Sequence, residues 1–125
     1  METNLTEADR RLLATAIFRL FDHWQLSETE QLALLGMSID QVTALREMRE
    51  SGLIASSQDL ASRTRALLRI YRYLGMVFLQ DPAAAKKWMT DPNDRLSGDS
   101  PITRIQSKSD AGIRSVATLL EEQLF

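Results

Sequence analysis

The sequence predicts an all-α protein, with N-terminal helix-turn-helix-like helices packed with a C-terminal helical domain around a long central helix. Three observations predict it. Apolar residues recur at helical spacing along each segment. Cap residues, glycines and prolines punctuate the chain at helix-length intervals. No segment alternates apolar and polar residues as a half-exposed strand does. Residues 1–55 read as the helix-turn-helix-like region, and residues 56–125 as the central helix with the second helical domain.

Thr6 has the chemistry of an N-cap, with acidic Glu7 and Asp9 in the first turn of the helix it opens. Leu13, Ile17, Leu20, Phe21 and Trp24 give that helix one apolar face. It should end between His23 and Gln25. Ser27 with Glu30 forms a capping box for a short second helix, which Gly36 stops. Ser38 with Gln41 opens a third helix, which Gly52 ends. Two short helices around a glycine-containing turn are the helix-turn-helix plan. Leu32 and Leu35 before the glycine, with Val42 and Leu45 after it, supply the inner face.

Ser38, Gln41, Thr43, Arg46 and Arg49 are the candidate DNA-binding residues of the third helix. Gln41 suits bidentate pairing with adenine, and Arg46 with guanine. The other reading is that these helices only pack and show a solvated face. Charge favours the second reading: Asp40, Glu47 and Glu50 outnumber Arg46 and Arg49.

The longest helix runs from about Ser56–Asp59 to about Gln80. Leu60, Thr64, Leu67, Tyr71, Leu74 and Phe78 form its stripe, so it should be the structural spine. Arg65, Arg69 and Arg72 follow one face; this basic stripe could touch phosphate or an acidic partner, and the favoured reading is a solvated or salt-bridged face. Asp81-Pro82 restarts a helix over Ala83 to Met89, with Trp88 and Met89 facing the spine. Asp91-Pro92-Asn93-Asp94 is a turn, and Gly98 allows a conformation closed to other residues. Pro101 opens one helical turn with Ile102 and Ile105 inward. Ser109 then caps a separate last helix with Ile113, Val116, Leu119, Leu120 and Leu124 as its stripe.

Composition bounds the function. The 125 residues hold 44% hydrophobic residues, enough for one domain or two small modules without staples. No cysteine is present, so disulfides and thiolate–metal sites are excluded and a cytoplasmic location is expected. Fifteen basic and seventeen acidic residues give a formal charge of −2. Phosphate neutralisation dominates nucleic-acid affinity, so any DNA contact must come from a local patch, a dimer or a complex. The polar N-terminus is unlike a secretory signal, and the longest apolar run is too short for a bilayer, so no membrane association is expected. One histidine, no glycine-rich phosphate loop and no metal-ligand spacing point to a non-enzyme without cofactor or metal.

The N-terminal bihelix resembles the Xre-type bacterial helix-turn-helix repressors. Leu32 is a departure, because these carry a small residue four positions before the turn glycine. Further along, Phe78, Ala85, Trp88, Pro92, Asn93, Leu96, Gly98, Pro101, Ile102, Gly112, Val116 and Leu120 fall in the order of the toxin-binding domain of Xre/MbcA/ParS-type antitoxins. Met89 stands where a leucine is common there. The Pro101 to Gly112 interval is about two residues longer than usual, and the chain stops at Phe125. The resemblance implies an antitoxin of a type II toxin–antitoxin system. Its partner would be a RES-type toxin that degrades NAD or transfers ADP-ribose from it. The antitoxin would cover the entrance to the toxin's NAD pocket, and its helix-turn-helix would repress the operon by binding operator DNA as a homodimer. Trp88, Pro92, Asn93, Gly98, Pro101, Val116, Leu120, Leu124 and Phe125 are the partner-binding candidates. Trp88 reads as a fold residue of that half, with contact at its edge. Leu124 and Phe125 also stand out without the resemblance, since apolar residues at a fraying chain end gain most by filling a partner's cleft. The alternative is a helix-turn-helix transcriptional regulator with a C-terminal dimerisation domain.

Overall fold

The computed structural model describes residues 5–79 and 81–125, apart from the side chains of 108 and 109. The described residues form six α-helices and two short 3-10 turns: α1 (Glu7–His23), α2 (Glu28–Leu35), a turn (Ile39–Gln41), α3 (Val42–Ser51), α4 (Gln58–Val77), α5 (Pro82–Thr90), a turn (Asp94–Leu96) and α6 (Pro101–Leu124). The fold is all-α. The chain divides into two units, Met1–Leu68 and Arg69–Phe125, with the boundary inside α4. That is later than the 55/56 boundary drawn from composition and punctuation.

In the first unit, local chemistry sets each helix start. The Thr6 hydroxyl accepts from the Asp9 N–H at 3.0 Å, and the Asp9 carboxylate accepts from the Thr6 N–H at 3.2 Å. Ser27 and Glu30 repeat the reciprocal pair at 3.1 and 2.9 Å. Each box satisfies two orphan donors of a helix end. Gly36 and Gly52 close α2 and α3 in the left-handed conformation, both at φ +72°. The core of this unit is Ile17, Leu20, Phe21, Leu32, Leu34, Leu45 and Ile54, all essentially sealed from solvent. Leu32 is 1% exposed, so a large residue at that position still allows α2 and α3 to pack. Ile54 is tied to α1 twice: the Arg10 guanidinium donates to its carbonyl at 2.8 Å, and its N–H donates back to the Arg10 carbonyl.

Residues Ser38 to Gln41 do not open an α-helix directly. They form a 3-10 turn, and α3 begins only at Val42. The Gln41 N–H donates to the Ser38 carbonyl at 2.9 Å, the i to i+3 bond of the tighter turn, and the Gln41 side chain accepts from the Ser38 N–H at 2.9 Å.

In the second unit, Asp81 caps α5 by accepting from the Ala83 and Ala84 N–H groups, and Pro82 occupies the first helical position. α4 ends at Val77, and the expected end at Gln80 lies outside the described residues. Ile70, Leu74, Met89, Leu96, Ile105, Val116 and Leu120 form the core. Met89 is buried as expected. Trp88 is not: it is half-buried, tilted against half-buried Phe78 with ring centroids 6.5 Å apart. Met89 takes the interior of this helix at 1% exposure, and Trp88 packs at its margin beside Phe78.

A second correction concerns the C-terminal segment. The helix capped by Ser100 runs from Pro101 to Leu124 without interruption, rather than as two helices. The proposed cap at Ser109 lies outside the described side chains. The break nevertheless survives as a bend. Residues 104 and 112 of a straight helix are separated by a rise of about 12 Å. Here a Cβ built on Gly112 would strike the Arg104 carbonyl, lying 2.8 Å from its carbon and 2.9 Å from the Ile105 Cα. The helix axis must therefore fold sharply between those residues, in a stretch rich in Ser and Gly, the composition where kinks occur.

Candidate functional site

The first unit builds a helix-turn-helix surface, and all five of its candidate residues are exposed: Ser38, Gln41, Thr43, Arg46 and Arg49. Exposure does not make them free. The Arg46 guanidinium forms a two-pronged pair with Glu28, Nε to Oε2 at 2.8 Å and the second nitrogen to Oε1 at 2.7 Å. That hydrogen-bonded cation holds the Glu28 carboxyl below the usual carboxylate range, so the pair stays charged at neutral pH. Arg49 pairs with Asp22 at 3.1 Å and stacks over the Phe18 ring at 4.5 Å. Both cations of the recognition helix are thus held by carboxylates of α1 and α2, and the Gln41 oxygen caps Ser38.

Sequence reasoning missed the residue that fixes the turn. Arg63 on α4 is buried and donates from Nε to the Leu34 carbonyl at 2.6 Å. Leu34 sits in the last turn of α2, where unsatisfied carbonyls and the negative end of the helix dipole favour a cation. A Cβ on Gly36 would meet the same guanidinium at 3.2 Å. Gly36 therefore supplies both the left-handed turn and the space for Arg63. No local pattern announces a pairing across 29 positions. Arg63→Met should lower stability by about 2 kcal/mol, since a charged hydrogen bond is lost and a carbonyl is left unpaired. Thermal denaturation checks this, and an unchanged melting temperature would show that the bond does not hold the turn.

The second unit sorts the partner-binding candidates by burial. Val116 and Leu120 are sealed in its own core at 0% exposure, and Pro101 is buried, so these three shape the surface from beneath. In the free chain they do not present themselves to a partner. Asn93 is half-buried and serves its own loop. Its carbonyl accepts from the Leu96 and Gly98 N–H groups, its N–H donates to the Asp99 carbonyl at 3.1 Å, and its side-chain oxygen accepts from the Arg95 N–H at 2.9 Å. Gly98 turns the loop at φ +89° and is exposed, as is Pro92. Trp88 is half-buried against Phe78. Leu124 is half-buried and Phe125 is 83% exposed, resting only edge-on against Tyr73 at 6.2 Å. The Tyr73 hydroxyl in turn donates to Glu121 at 3.3 Å.

Two exposed apolar residues on this unit were not among the candidates. Met76 is 43% exposed, and Leu79, in the left-handed conformation just past α4, is 86% exposed. Neither lies on the stripe assigned to the spine, and the end of α4 at Val77 puts Leu79 beyond the helix. Arg65, Arg69 and Arg72 are exposed, as expected of a solvated face. Among the described residues, no group of three His, Cys, Asp or Glu side chains could hold a metal ion. No helix among them is long and apolar enough to cross a membrane.

Comparison with known proteins matches both units. Residues 4–63 match the antitoxin Xre-like helix-turn-helix domain. Residues 73–123 match the antitoxin Xre/MbcA/ParS C-terminal toxin-binding domain. The chain is also similar to the uncharacterized protein y4oB of Sinorhizobium fredii (strain NBRC 101917 / NGR234), at 31% identity over 94 residues, covering 74% of this chain and 70% of that one.

Proposed function

The chain belongs to the Xre/MbcA/ParS antitoxin family, and from that premise we propose that it neutralises a RES-type, NAD-consuming toxin by binding it directly and covering its active-site entrance. One observation carries the contact site. Just beyond the matched toxin-binding segment, Phe125 stands out into solvent at the end of α6, edge-on to Tyr73. An aromatic so exposed gains most from a partner's cleft. Trp88, Pro92, Gly98 and Leu124 provide the rest of the surface, and Asn93 keeps its loop in shape. The partner is the product of the neighbouring gene, and the complex forms in the cytoplasm. The test is co-expression with that product, following cell growth, cellular NAD and co-purification. Neutralisation that survives removal of residues 110–125 would show that α6 is not the binding element.

A second reading, autorepression of the operon by a homodimer, is favoured by the helix-turn-helix match and by the glycine turn between α2 and α3. The structure attaches a condition to it. Arg46 must leave Glu28 before it can reach a base edge or a phosphate. Glu28→Gln should therefore tighten binding to the upstream DNA, by about threefold in a gel shift at low salt, where the phosphate term is largest. Weaker or unchanged binding would show that the pair does not restrain Arg46.

A further inference from the structure

We propose that the groove formed by the Asp94–Leu96 turn and the two arms of bent α6 receives an acidic segment of the toxin, anchored by Arg114. This rests on the antitoxin reading and specifies the chemistry of the partner. The groove is open to solvent, with a volume of about 470 Å³, and Arg95, Leu96, Arg104, Arg114, Leu119 and Glu122 line it. Arg104 precedes the bend and Arg114 follows it, and both line the groove.

The three guanidiniums differ in their commitments. Arg104 is tied to Asp99 at 3.2 Å and to the Leu96 carbonyl. Arg95 pairs with Glu122 at 2.5 Å, but both side chains are about half exposed or more, and such pairs exchange readily with another carboxylate. Arg114 is exposed, and among the described residues it has neither an ion pair nor a side-chain hydrogen bond. One uncommitted fork beside one exchangeable fork suits an incoming carboxylate, which guanidinium binds through two parallel bonds. Leu96 and Leu119 give the groove an apolar floor for the stem of that side chain.

A nucleic-acid backbone fits less well. Phosphate tracking calls for several uncommitted cations along one line, whereas this groove has one, with Glu122 in its wall and Asp99 beside it. The groove also lies within the segment that matches the toxin-binding domain.

The test titrates the full chain against the purified product of the neighbouring gene between about 50 and about 300 mM salt, a range over which exposed charge pairs are progressively screened. Arg114→Glu should weaken binding about tenfold at low salt and flatten its salt dependence, while Arg114→Lys should stay within about threefold. Arg19→Glu, an equal charge change at an exposed position on α1, should leave binding unchanged. Thermal melts confirm that each variant folds, and Arg114→Gln stands in should the reversed charge disturb α6. Equal binding by wild type and Arg114→Glu overturns the groove proposal and leaves the antitoxin reading standing. No binding by the wild type overturns both. If Arg114→Glu abolishes binding to the operator duplex and spares binding to the toxin, the groove belongs to nucleic acid and the proposal fails.

Discussion

Gly112→Ala should destabilise the protein by about 3 kcal/mol and lower its melting temperature by roughly 10 °C. A single methyl group has this effect because of where it must go. It would land on the Arg104 carbonyl and against the Ile105 Cα, both backbone groups that cannot rotate aside. Ile105 is itself fully buried, and Arg104 is bound to Asp99 and to Leu96, so the first arm of α6 has little freedom to withdraw. Alanine is otherwise the better helix former by about 1 kcal/mol, so a straight helix would be stabilised by the same change. The sign of the shift therefore reports the bend directly. A variant that melts at or above the wild-type temperature would show that α6 runs straight.

Phe125→Ala should have the opposite profile, with stability unchanged and toxin binding lost. The ring is 83% exposed and rests edge-on against Tyr73, so its removal from the free chain uncovers little. If the ring enters the toxin's cleft, truncation should cost at least about 2 kcal/mol of binding, roughly thirtyfold in Kd. Titration of the toxin measures this, with a thermal melt of the free variant beside it. Retention of full affinity would remove Phe125 from the interface. A large drop in melting temperature would mean that the ring belongs to the protein's own core.

Much of the fold was legible because its punctuation is local. Ser27 with Glu30, Gly36, Gly52 and Asp81-Pro82 each act within four residues, and each does in three dimensions what its chemistry requires. What was not legible depends on partners distant in the chain. The Arg46–Glu28 pair joins residues 18 apart, and Arg49 reaches Asp22 across 27. A recognition helix scored by its own charges therefore looks freer than it is. Gly112 entered the sequence reading only through the family motif, and the return of the chain onto Arg104 shows why a side chain is excluded there. Trp88 and Met89 both read as facing the spine; Met89 is sealed in the core, while Trp88 packs against Phe78 and stays half-buried. For the candidate surface, apolar residues at the chain end were visible in sequence. The burial of Val116 and Leu120 beneath it was not, because an apolar stripe does not say which of its members stay indoors.

The loop gathered around Asn93 has a kinetic consequence. Its peptide groups answer one another through a single side chain and backbone, and Ser97 and Gly98 hold the left-handed turn already formed. A segment that arrives pre-shaped surrenders little conformational freedom on association. Complex formation by this end of the molecule should then proceed at the pace of diffusional encounter, with lifetime, rather than speed of capture, carrying the difference between a cognate toxin and its near relatives.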